Sequence, residues 1–205
     1  MRKIFLPLIA ILLAIGCKSK EEKANELINA ELFKTLYDYE SYQPIETIID
    51  SAFTTIYRDS TILNYAIKAS ASFKLTNEYL QKTQNAKEIM EIWVTSYSSS
   101  YGRRKYQEAN EEFNEYLNLA EKTIEITTAY RDSIREAVEF FQSEFIGWEA
   151  KHKFRCKTKG GNPDIADYVY IFDPEMKEII YTEDSNDEDL LQLRENIDEL
   201  ISEDS

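Results

Sequence analysis

The sequence predicts an α+β protein: a mainly helical body with a long antiparallel helical hairpin, then a three-stranded antiparallel β-meander and a C-terminal helix. Three observations point there. Only 5 Gly and 4 Pro occur among 205 residues, too few for a sandwich or barrel that needs a turn signal every ~8–12 residues. The stretch from Arg103 to Gln142 has neither residue, and its apolar positions alternate steps of three and four, a heptad pattern. After Ser143 the apolar period shortens to that of a strand. With 43% apolar and 13% aromatic residues, the chain has enough apolar surface to offset its conformational entropy, so a folded core is expected despite a net charge of −14.

Taken in order, residues 1–16 read as a signal peptide: Arg2 and Lys3, an apolar run from Ile4 to Ile15, then Gly16. At ~1.5 Å per residue that run reaches ~18 Å, short of the ~30 Å hydrocarbon core, so it is a signal and not a permanent span. Ala14, Ile15, Gly16 and Cys17 resemble the lipobox of bacterial lipoproteins, with Ala14 where that family prefers Leu. The resemblance implies cleavage before Cys17, lipid on its sulfur, and a protein anchored to the outer membrane of the cell envelope. Residues 17–23 then form a lipidated polar tether, similar to the Lys- and acid-rich export signal of some Bacteroidota lipoproteins. Lipid on Cys17 leaves Cys156 without a partner, so no intramolecular disulfide is expected. Loss of Arg2 and Lys3 takes the net charge from −14 to −16, which disfavours nucleic acid or an anionic bilayer as a general partner.

Residues 24–143 form the helical region. Ala24, Leu27, Ile28, Leu32 and Leu36 make one apolar stripe. Pro44 suits a first helical position, and Ile45, Ile48, Ile49, Ala52, Phe53 and Ile56 follow at helical spacing, so a second helix is expected there. Asp59 or Ser60 caps a third, which runs to the Ser/Gly cluster at 98–102. The fourth, with Tyr106, Ala109, Phe113, Tyr116, Ala120, Thr123, Thr127, Tyr130 and Ile134 on its stripe, folds back against the third.

Residues 144–205 hold the meander and an acidic helix, expected to pack with the helical region as one domain. Trp148, Ala150, His152, Phe154 and Cys156 alternate with Glu149, Lys151, Lys153, Arg155 and Lys157, a strand that buries the first set and exposes the second. Gly160, Gly161 and Asn162 turn the chain into a second strand through Tyr168–Phe172. Asp173 and Pro174 begin another turn, and the stretch 177–182 makes a third strand. Ser185 with Glu188 reads as the capping box of a last helix. The segment from Gly147 to Asp173, with His152, Lys153, Phe154, Arg155, Cys156, Lys157, Gly160, Gly161, Asn162, Asp167 and Tyr168, resembles the C-terminal part of a group of small Bacteroidota lipoproteins. That resemblance supports the localisation and supplies no activity.

Lys151, Lys153, Arg155, Lys157 and Lys159 are the candidate anion-binding face, all expected on one side of the first strand. Three readings fit it: neutralisation by the acidic segment 183–205, a solvated face protecting an edge strand, or a site for an acidic glycan or phosphate beside the KTKGGN turn, whose N–H groups join in. Catalytic signals are missing: no GxSxG, HExxH, P-loop or CxxC occurs, and no cofactor or metal is implied. His152, the one histidine, reads as a core residue with one satisfied hydrogen bond, and Cys156, four places on, lies ~13 Å from it along a strand, too far for a dyad. Asp184, Asn186, Glu188 and Glu195 imitate a calcium loop without its glycine and read as helix-capping residues. The expected function is a lipid-anchored, non-enzymatic binding or accessory protein that meets an envelope protein or acidic glycan. An envelope enzyme cutting glycan with a carboxylate pair is the alternative.

Overall fold

A computed structural model describes residues 18–202, so the expected signal peptide and Cys17 lie outside the described residues. The chain divides into two compact units, residues 18–54 with 144–187 and residues 55–143 with 188–202. This differs from the expected boundary at residue 144, because the sheet recruits a strand from the N-terminal part and the last helix belongs with the long ones.

In the first unit, helix α1 (Lys20–Thr35) opens on a capping box in which the Ser19 side chain accepts from the Glu22 N–H and Glu22 reaches back to the Ser19 N–H. The segment expected as a tether is therefore helical from Lys20 onward. A short 3-10 turn at Tyr39–Ser41, held by Asp38, leads into β1 (Gln43–Phe53). That strand replaces the helix expected from Pro44 to Ile56. Its Ile and Thr residues favour an extended chain, and antiparallel pairing with β2 (Phe145–Lys157) runs from Gln43 opposite Arg155 to Phe53 opposite Phe145. Pro44 costs no ladder hydrogen bond of an interior strand, since β1 lies at the sheet edge. Strands β3 (Pro163–Phe172) and β4 (Ile179–Asp184) complete a four-stranded antiparallel sheet in the order β1-β2-β3-β4, one strand more than expected.

One face of this sheet carries the core. Ala24, Ile28 and Leu32, at successive turns of α1, pack with Ala150, Phe154, Tyr170 and Phe172, while Trp148, Cys156 and Tyr168 border them half-buried. Gly147 is fixed by geometry: its φ is +142°, and a Cβ there would lie 1.9 Å from the Phe172 carbonyl oxygen.

The second unit is built on α2 (Ser60–Val94), capped by Asp59, and α3 (Ser100–Glu139), capped by Ser99. The ring of Tyr65 lies beside that of Tyr130, Tyr79 stacks with Tyr116, and Tyr97, just past the end of α2, meets Tyr106 edge-on, so the helices run antiparallel over their length. Helix α4 (Glu188–Ser202) adds Ile197 to a cluster with Ile62, Ala66 and Ile134. The capping box expected on Ser185 does not form there: Ser185 sits in the turn after β4, its N–H donating to the Asp167 carbonyl at 2.8 Å, and the helix begins three residues later. Among the described residues, no helix is long and apolar enough to cross a membrane.

Candidate functional site

Four of the five expected cations, Lys151, Lys153, Arg155 and Lys157, stand exposed on the face of β2 opposite α1. Lys159 does not share that face. It lies in the turn after the strand, because pairing with β3 ends at Lys157 opposite Pro163. Flanking strands place Glu46 and Asp167 on either side of Lys153, Ile48 and Val169 beside Lys151, and Gln43 and Ile165 beside Arg155. Among the described residues none of the five cations is in an ion pair. Edge protection is not their role, since β2 is an interior strand. Nor do the turn's N–H groups all remain available: Thr158 donates to the Asn162 carbonyl, Gly161 to the Thr158 carbonyl, and Lys157 to Ser41 Oγ.

On the opposite face, wholly buried His152 has two partners rather than one. Thr47 Oγ1 lies 2.9 Å from Nδ1 and Tyr42 Oη 2.9 Å from Nε2. Thr47 spends its own proton on Asn25 Oδ1 at 3.2 Å, so it accepts from Nδ1–H, and Tyr42 donates to Nε2. The imidazole is neutral in this arrangement. Burial pushes its pKa below the ordinary 6.5, against a weaker upward pull from Asp167. The Tyr42 hydroxyl is pushed up to about 12, by burial first and then by Tyr39. Around the ring, Phe154 stacks at 5.4 Å and Tyr170 stands edge-on at 6.3 Å.

Thr47 also lines an open cleft of about 560 Å³ with Ser19, Lys20, Glu21, Ile49, Asp50 and Trp148. Lys20 Nζ sits 3.0 Å above the Trp148 ring centre, and the indole N–H donates to the Pro174 carbonyl at 3.1 Å. Glu21 and Asp50 bring two carboxylates to the cleft wall. Sequence reasoning placed Trp148 and His152 on the inward side of one strand but missed Tyr42, Thr47, Asn25 and Lys20. One signal was present: Asp38 three residues before Ser41 marks the turn that delivers Tyr42.

Cys156 is a half-buried free thiol whose pKa is raised, chiefly by burial and further by Asp164 and Asp38, so it is no ready nucleophile. Among the described residues no group of three His, Cys, Asp or Glu side chains is arranged to hold a metal ion. No family model, curated protein or solved structure matches this chain.

Proposed function

We propose that the protein is a lipoprotein of the bacterial outer membrane, anchored through lipid on Cys17, and that it works as a non-enzymatic binding protein for an acidic polymer of the envelope. The observation that carries the binding role is the exposed, unpaired row Lys151, Lys153, Arg155 and Lys157 on an interior strand. Alternate residues of a strand stand ~7 Å apart. Neighbouring cations at that distance repel by about 0.6 kcal/mol in water. Glu46 and Asp167 offset this beside Lys153, and Glu149, the preceding residue of the same strand face, beside Lys151, while Arg155 and Lys157 have no acid as a ladder partner. A chain of carboxylates laid along the row relieves the repulsion at every position. An acidic glycan fits this better than a single phosphate, because the turn beside the row has spent much of its N–H capacity.

The test uses the mature lipidated chain with polygalacturonate as the polyanion and dextran as the neutral control. Binding to polygalacturonate alone, weakening with salt and falling at least several-fold in Lys151→Glu and Lys157→Glu, supports the reading. Equal affinity for both polymers, or none, rejects it. The anchor has its own assay: Cys17→Ala releases the protein from membranes while its far-UV helical spectrum persists.

Glu21 and Asp50 on one cleft wall favour a second reading, glycan hydrolysis by a carboxylate pair. New reducing ends from envelope glycan, abolished by either Glu21→Gln or Asp50→Asn, would establish it, and their absence removes it.

A further inference from the structure

We infer that the edge of the first unit formed by Trp148, Phe145 and Phe53 rests in the headgroup layer of the bilayer that holds the lipid of Cys17, so that the sheet lies against the membrane and does not swing on a tether. The inference depends on the lipid anchor proposed above. Its first support is distance. The capping box starts at Ser19 and α1 at Lys20, and Lys18 is already tied to Glu26, its Nζ donating to both carboxylate oxygens at 2.6 Å. Only Lys18 and Ser19 separate Cys17 from the helix, three Cα–Cα steps that span at most ~11 Å. A folded body on so short a lead cannot stand clear of the lipid surface.

The second support is what lies beside that lead. Ser19 and Lys20 line one cleft with Trp148, and Lys20 Nζ stands over its indole. Phe145 meets Trp148 edge-on at 5.7 Å, and Phe53 meets Phe145 at 5.9 Å. Both phenylalanines are 47% exposed at the paired ends of β1 and β2. An indole with two half-exposed phenyl rings and a lysine is the composition that settles at a bilayer interface, with the rings among the headgroups and the ammonium toward phosphate. Glu21, Glu22 and Asp50, exposed nearby, oppose deeper entry. The contact is therefore interfacial, ~5–10 Å deep.

The chain has two tryptophans, Trp93 and Trp148, so Trp93→Phe leaves a single reporter at this edge. The full mature chain with that substitution is reconstituted in phosphatidylcholine vesicles with plain or brominated acyl chains. Its intact mass reports the acyl groups on Cys17, and flotation reports attachment. Trp148 emission lower by about twofold in the brominated vesicles supports the inference. Equal emission in both, from acylated protein that floats, overturns it and leaves the anchor standing. An unacylated mass overturns both together. Should Trp93→Phe unfold its helix, an environment-sensitive label on Phe53→Cys in a Cys156→Ser chain replaces the indole as reporter: dimmer label emission in brominated vesicles supports the contact, and equal emission overturns it.

Discussion

In the first unit the core is built of large side chains: Phe154, Tyr170, Phe172, Ile28 and Leu32 are all within 1% of full burial, and the same face of the sheet holds a histidine that is itself shut off from water. In the second unit the seam between α2 and α3 takes small residues. Ala66, Ala69, Ser72, Thr76 and Ala86 face inward with Ala109, Ala120 and Thr123, while Ile67, Phe73 and Ile92 are 56–65% exposed. Sheet and helix reach stability by different routes. The sheet unit gains by removing large apolar areas from water. The hairpin gains by close backbone approach and by hydrogen bonds across the seam, with Ser72 Oγ donating to the Thr123 carbonyl at 3.0 Å and Thr76 Oγ1 to Thr123 Oγ1 at 2.8 Å. Such bonds fix the register of two helices whose alanines would tolerate sliding.

Opposite substitutions should therefore hurt the two units. Phe154→Ala removes a side chain with no exposure from the middle of the sheet core and is expected to cost about 3–5 kcal/mol, read as a lower urea midpoint for the sheet signal. In the hairpin the damaging change is an enlargement. Ala120→Leu at a fully buried position forces the helices apart and should cost about 1–3 kcal/mol. If Ala120→Leu proves neutral or stabilising, the seam is loose and the contrast fails. Ser72→Ala loses the cross-helix bond to the Thr123 carbonyl and should cost about 1 kcal/mol, whereas an exposed hydroxyl such as Ser133, bonded only to the Ala129 carbonyl of its own helix, should cost less.

The contrast also explains what the sequence could disclose. Long helices were legible because their signal is local: the stripe from Tyr106 to Ile134 repeats over about eight turns, with no Gly or Pro in the helix beyond Gly102 at its start. Strand β2 was legible because its inward and outward sets alternate without interruption from Trp148 to Lys157. Strand β1 was not. Ile45, Ile48, Ile49 and Ala52 satisfy helical spacing, and register irregularities between Pro44 and Glu46 and between Ala52 and Phe53 break the alternation that would have exposed the strand. What decided it was pairing with β2, far along the chain, which no local period reports. The same holds for the polar core, where Thr47 and Tyr42 reach His152 across 105 and 110 residues. Lys159 was misplaced for the reverse reason, since alternation continues in the sequence after the ladder has ended.

A further prediction separates the units by pH. His152 is the only histidine, so between about pH 5 and 7 it is the one side chain with an ordinary pKa in range, and the hairpin holds none. Folding keeps it neutral, whereas the unfolded chain takes up a proton near 6.5. Unfolded protein thus binds more protons below that value, and stability rises with pH across the window. The contribution is complete above 6.5 and is lost as pH falls toward the depressed folded value, at no more than ~1.4 kcal/mol per pH unit for one proton. Urea midpoints of the sheet signal should fall from pH 7 to 5.5 while the helical signal holds. His152→Gln, which still offers Tyr42 an acceptor, should lower stability at pH 7 yet flatten that slope. A slope that survives the substitution would assign the pH dependence to carboxylates and return His152 to the rank of a neutral spacer between Tyr42 and Thr47.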